Sequence, residues 1–222
     1  MTPDFLNLSL YSLLCTLKSK KMNLIEIVDY AGTFAFAISG IRLASAKKFD
    51  WFGAYVVGLV TAIGGGTVRD LLLNLTPFWM LQPSYLIITG VALLAVILAG
   101  KRMKVFNNAF FIFDTIGLGL FVVVGIEKSI EAGFPFWVTI VMGMITGSVG
   151  GIIRDILINE EPLIFRKDIY ALACVFGGVV YYVCTILHFQ VEITQIISAT
   201  SVIVMRFLAV KYHLGLPALK ND

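Results

Sequence analysis

Two stretches of the chain decide its fold: Thr61-Ala62-Ile63-Gly64-Gly65-Gly66-Thr67-Val68-Arg69-Asp70 and Thr146-Gly147-Ser148-Val149-Gly150-Gly151-Ile152-Ile153-Arg154-Asp155. They lie 85 positions apart, and the same gapless offset carries Asp29 onto Asp114, Gly32 onto Gly117, Gly40 onto Gly125 and Gly58 onto Gly143. Beyond the stretches it carries Asn74 onto Asn159, Pro77 onto Pro162 and Tyr85 onto Tyr170. One register serving so many unlike residue types is the mark of an internal duplication.

The solvent of this duplicated chain is lipid. Of its 222 residues 59% are hydrophobic and 14% charged, where an ordinary soluble domain has roughly 45–50% and about 25%. The mean hydropathy of +0.91 agrees. The apolar residues fall in blocks long enough to cross a hydrocarbon core, which takes about 20 helical residues. Seven spans are predicted, near 24–45, 52–73, 84–100, 108–127, 136–158, 169–188 and 195–212. The expected fold is an all-α membrane protein in which residues 24–106 and 107–191 form two three-helix repeats, 192–214 a seventh helix and 215–222 a cytoplasmic tail. Three is odd, so the second repeat enters the membrane from the face opposite the first. Inverted repeats of this kind place solute sites near the midplane, commonly on discontinuous helices.

Residues 1–23 read as a leader, disordered or interfacial, because Lys18, Lys20 and Lys21 follow the apolar stretch Phe5–Leu17, the reverse of a secretory signal. An amino end outside would put Arg42, Lys47, Lys48, Lys101, Arg102, Lys104, Arg166, Lys167, Lys211 and Lys220 on the cytoplasmic side. That asymmetry predicts an external amino end and a cytoplasmic carboxyl end in the plasma (inner) membrane. Trp51, Trp79, Tyr85, Trp137 and Tyr170 near span ends read as interfacial anchors.

Consecutive glycines weaken a helix by roughly 1 kcal/mol each relative to alanine and leave its backbone uncovered. Helices two and five are therefore expected to kink or open at Gly64, Gly65 and Gly66 and at Gly147, Gly150 and Gly151. In hydrocarbon, freed backbone groups need protein or water as partners. With the hydroxyls of Thr61 and Thr146, carbonyls at Gly65 and Gly151 become the expected surroundings of a monovalent cation. The small-xxx-small patterns Gly58-x-x-x-Ala62 and Gly143-x-x-x-Gly147 offer the other reading, close helix packing.

A charge at the bilayer centre costs at least about 2.5–3.5 kcal/mol, so the intramembrane charges should face inward and be paired. Neighbours on a helix point about 100° apart, which disfavours pairing Arg69 with Asp70 or Arg154 with Asp155. Depth instead suggests Asp29 with Arg69 toward one face and Asp114 with Arg154 toward the other, with Asp70 and Asp155 pairing elsewhere or facing water. Glu127 and Lys128 are expected at a mouth or snorkelling, and Arg206 reaching headgroups or a carboxylate.

Other function classes fall away. No basic face is available for nucleic acid. Cys15, Cys174 and Cys184 lack metal or redox spacing, His188 and His213 have no second ligand, and no HExxH or nucleophile constellation marks an enzyme. No cofactor is expected.

The paired motifs Gly64-Gly65-Gly66-Thr67-Val68-Arg69-Asp70 and Gly150-Gly151-Ile152-Ile153-Arg154-Asp155, each followed by an Asn and a Pro, resemble the prokaryotic relatives of the trimeric intracellular cation channels. The resemblance runs from about Ile25 to Tyr212. It implies a homotrimer in membrane lipid, one pore per subunit beside helices two and five, and potassium or sodium as the permeant ion. The Arg and Asp residues become pore wall or its support. Helix four carries only Asp114 as an ionisable group between Asn108 and Gly125, without the basic residues of the animal channels. The same bacterial domain is also labelled a glycine transporter domain, so the alternative is a secondary carrier of a small amino acid such as glycine.

Overall fold

A computed structural model describes residues 23–105, 109–166 and 169–215. The leader up to residue 22, Lys167, Lys220 and the junction 106–108 lie outside them. The described chain is all helical: α1 Leu24–Ala46, α2 Trp51–Leu72, α3 Ser84–Val105, α4 Ala109–Glu131, α5 Phe136–Leu157, α6 Ala171–Ile186 and α7 Val191–Lys211. A single turn, Phe78–Leu81, stands between α2 and α3, and a 3-10 turn, Leu163–Phe165, between α5 and α6. Five helices (α1, α2, α4, α5 and α7) are long and apolar enough to cross a membrane, and Ser84–Gly100 and α6 are shorter apolar helices. Large apolar side chains point outward, Leu98 at 85% and Phe52 at 75% exposure, an arrangement that suits lipid as the surrounding solvent.

The two repeats are related by a two-fold operation. Phe121 of α4 lies against Gly32 of α1, and Phe36 of α1 against Gly117 of α4, the same contact with the roles exchanged. Reciprocal contact of this kind is the property of a two-fold interface. The helix ends fix its direction. Lys47, just past the end of α1, reaches Glu160, just past the end of α5, at 2.5 Å. Lys128 in the last turn of α4 shares a cavity with Ile25 and Asp29 at the start of α1. The face where α1 begins (the near face) is thus where α4 ends, and the repeats are inverted. α7 returns from the near to the far face and packs on α4 and α6.

The expected opening at the glycines of α2 and α5 is not what the structure has. Both helices run unbroken through them. The reason is packing. A Cβ at Gly65 would run into the carbonyl oxygen of Thr146, and one at Gly150 into that of Thr61. The missing side chains allow the two backbones to touch where α2 and α5 cross, and the dispersion gained there offsets the propensity lost. A break does occur elsewhere, at Gly100 of α3, which holds φ +42° and ψ −123°.

Asn74 and Asn159 recur in the repeat because each ends a helix in the left-handed conformation, at φ 57° and 56°. The amide of Leu75 bonds back to the Asp70 carbonyl and that of Glu160 to the Asp155 carbonyl, closing α2 and α5 alike.

Outside the helices, the hydrogen bond and charge of Lys47, with Arg166 behind, hold the Glu160 carboxyl below its ordinary value. Its contribution to stability is present above the ordinary carboxylate range and is lost as pH falls through the depressed value. Lys47→Met is expected to move the Glu160 titration, followed by carboxyl carbon NMR, back up toward the ordinary range.

Candidate functional site

The repeated Arg-Asp pairs build one charged cluster at each end of the α2–α5 crossing. Neighbours do pair, against the expectation from helical geometry. The Nε and Nη2 of Arg69 donate to Asp70 Oδ1 at 2.8 and 2.7 Å, and Arg154 Nε donates to Asp155 Oδ1 at 2.8 Å. The arginine stem is long enough to fold back across 100° of helix, and burial rewards the shortest available neutralisation. Neither aspartate faces water. Asp70 Oδ2 accepts the amide of Phe78 at 2.9 Å and Asp155 Oδ2 that of Leu163 at 3.1 Å. Each carboxylate thereby pins the turn that follows its own helix. The motif Arg-Asp, Asn, Pro is in this respect a structural clamp made twice.

The two ends differ in what else they hold. On the far face Arg154 pairs with Asp114 as expected, and its Nη1 also donates to Ser39 Oγ at 2.9 Å. Its guanidinium lies 4.8 Å from the Phe110 ring centroid, and Arg154 and Asp114 are wholly buried. On the near face Asp29 and Arg69 form no ion pair. Asp29 Oδ2 accepts instead from the Tyr85 hydroxyl at 2.6 Å, while Asp70 takes Arg69. Asp29, Arg69, Gln82, Tyr85, Val124 and Lys128 line a cavity of about 190 Å³ at this end. Lys128 is paired with Glu131 at 2.9 Å.

The symmetry also locates its own exceptions. The buried hydroxyl of Tyr170, the counterpart of Tyr85, has no hydrogen-bond partner among the described residues, and neither do Asp114 Oδ2 and Arg154 Nη2. Ser39 has Val124 as its counterpart, so the far cluster gains a hydroxyl where the near cavity gains an apolar wall. Tyr85 and Tyr170 are buried members of the clusters and not interfacial anchors. Their match at the repeat offset was the signal for this; Ser39 carried none. Trp51 and Trp137 are exposed, and the Trp79 indole donates to Thr67 at 3.1 Å.

Between the clusters, Thr61 and Thr146 spend their hydroxyl protons on their own helices, on the carbonyls of Val57 and Met142 at 2.6 Å each. Gly64 meets Ile153 and Gly150, and Gly147 meets Leu118 and Val122. Gly66 packs under Phe78, and Gly151 beside the Tyr170 hydroxyl and the Arg154 guanidinium. Glu127 accepts from Tyr181 at 2.5 Å and from Gln195 at 2.6 Å, fastening α7 to α4 and α6. Among the described residues no group of three or more His, Cys, Asp or Glu could hold a metal.

Known proteins share this architecture. The family model described as glycine transporter matches residues 26–101 and again 111–185, the two segments starting at the offset of the internal repeat. The UPF0126 inner membrane protein YadS of Escherichia coli K12 is 37% identical over 205 residues, covering 90% of this chain and 98% of that protein. A UPF0126 membrane protein of Vibrio cholerae is 38% identical over 199 residues, covering 88% of this chain and 82% of its own length. Among solved structures, a TRIC cation channel has a TM-score of 0.80 at 33% identity, covering 90% of this chain and 99% of that one. The TRIC trimeric intracellular cation channel orthologue from Rhodobacter sphaeroides also has a TM-score of 0.80, at 31% identity, covering 87% of this chain and 100% of that one. The chain belongs to the UPF0126 family of membrane proteins, the prokaryotic TRIC family whose model carries the glycine transporter label.

Proposed function

We infer that this protein is a channel for monovalent cations, chiefly potassium, with one path per subunit of a homotrimer in the inner membrane. The observation that carries the reading is the near-face cavity. It is a charged recess with Asp29 on its wall, set inside a bundle that otherwise shows lipid apolar surface, and it reaches inward to Arg69 and Val124. Similarity to TRIC cation channels supports it. All seven helices cross the bilayer in this reading, with the amino end outside, the near face external and the far face cytoplasmic.

The ion path runs from the cavity along Thr61, Gly64, Gly65 and Gly66 of α2 and Thr146, Gly147, Gly150 and Gly151 of α5. In the conformation described, the backbone contact of Gly65 with Thr146 and of Gly150 with Thr61 closes it. Opening requires the two helices to part, which brings the Gly65 and Gly151 carbonyls toward a passing cation. Asp29, Asp70, Asp114 and Asp155 offset Arg69 and Arg154 along the wall.

The test is potassium current from purified protein in a planar bilayer. Asp29→Asn removes one of the two carboxylates that line the cavity, Glu26 being the other, and keeps its shape; a fall in unitary conductance is expected at low salt, shrinking as salt screens the site. Silence from confirmed folded trimers overturns the channel. Saturable glycine uptake by proteoliposomes without unitary currents would put a carrier in its place, the activity named in the family model's description.

A further inference from the structure

We propose that the far-face end of α7 is a binding site for an anionic phospholipid, with the lipid phosphate held by Arg206 and Lys211. Three arginines of the described chain are fully buried, and two of them have carboxylates: Arg69 has Asp70, and Arg154 has Asp114 and Asp155. Arg206 is 1% exposed and no carboxylate lies within ion-pair distance among the described residues. Its Nη1 donates to the Ile169 carbonyl at 3.0 Å. Its guanidinium lies over the Tyr170 and Phe111 rings, 4.8 and 5.4 Å from their centroids. Its Nε has no hydrogen-bond partner among the described residues. Carbonyl and ring faces stabilise a cation without cancelling its charge.

Arg206 also lines a cavity of about 440 Å³ whose other polar members are Lys211 and His213, and whose walls are Phe110, Phe111, Leu163 and Phe207 among other apolar residues. Among the described residues no acidic side chain lines it. A cationic mouth over an aromatic trough matches an amphiphile, with a phosphate for the donors and an acyl chain for the rings. Inorganic phosphate would satisfy the donors and leave the trough unexplained. The site covers the last two turns of α7, from Arg206 to Lys211 at the helix end, where a helix of 21 residues reaches the headgroups. It is independent of the ion path, and its test does not depend on conductance.

The experiment is native mass spectrometry of the purified full chain, delipidated and titrated with phosphatidylglycerol or, separately, phosphatidylcholine, beside thermal unfolding with inorganic phosphate. Retention of phosphatidylglycerol over phosphatidylcholine is expected, falling about tenfold in Lys211→Gln, the loss of one charge-assisted contact. Arg206→Gln is expected to lose it altogether. Lys48→Gln, which removes the same charge elsewhere on the far face, should leave it unchanged. Because Arg206 is buried and its variant can misfold, the exposed Lys211 is the deciding position. Equal retention in Lys211→Gln and the unaltered chain overturns the proposal, as does equal retention of the two lipids. Stabilisation by inorganic phosphate matching that by phosphatidylglycerol also overturns it, in favour of a free anion.

Discussion

Gly65→Ala is expected to lose most of its folded protein, and Gly150→Ala to behave alike. The added methyl at either site meets a carbonyl oxygen of the facing helix, Thr146 for Gly65 and Thr61 for Gly150. A backbone carbonyl inside a continuous helix cannot rotate away as a side chain can. The whole crossing must widen, at a cost near or above the top of the roughly 1–3 kcal/mol range for overpacking. Gly64→Ala makes the contrast. Its methyl would lie 3.2 Å from the end of the Ile153 side chain, which can shift. Gly90, on α3, has nothing within 4 Å, so Gly90→Ala should hold or slightly raise the unfolding midpoint, alanine being the better helix former. The check is the thermal midpoint and yield of the four variants after size-exclusion chromatography. Four similar midpoints would mean that the crossing is loose and cannot close a path.

That series bears on what the sequence could and could not reveal. The duplication, and from it the inversion, was legible because Asp, Asn, Pro and Tyr recur at one offset in a chain that is otherwise apolar. The triple glycine was legible as a special place but ambiguous in kind. Glycine removes a side chain whether the helix is to open or a neighbour is to approach, and only the partner across the contact distinguishes the two. Thr146 sits opposite Gly65 and not beside it in the chain, so no local reading could supply it. The charges failed for a related reason. Helical geometry separates Cβ directions, but Arg69 reaches Asp70 through its far nitrogens, and side-chain length outweighs direction once both are buried. Asp29 was then free for Tyr85. Its pairing was misassigned because depth ranks candidates by level in the membrane and cannot see which of two carboxylates an arginine meets first.

The asymmetry of the two clusters yields the second large effect. Asp114→Ala is expected to cost about 3–5 kcal/mol, the usual penalty for removing one partner of a buried ion pair, and Asp29→Ala markedly less. The two positions are equivalent in the repeat, and the substitution is the same. What differs is the arginine. Asp114 is buried against Arg154, whose Nη2 already lacks a partner among the described residues, where Asp155 and Ser39 are its remaining hydrogen-bond acceptors. Arg69 keeps both of its bonds to Asp70 when Asp29 goes, because Asp29 forms no ion pair with it. The near-face loss is the Tyr85 hydrogen bond, about 1–3 kcal/mol for a buried hydroxyl left without its acceptor, and the adjoining cavity softens that loss with space for water. A double-mutant cycle isolates the pair. Asp114→Asn combined with Arg154→Gln should cost less than the sum of the two singles, since the second change removes the charge stranded by the first. Thermal unfolding of the four proteins in one detergent measures it. Additive costs would show that Asp114 and Arg154 do not depend on one another, and would leave the far face held by Asp155 alone.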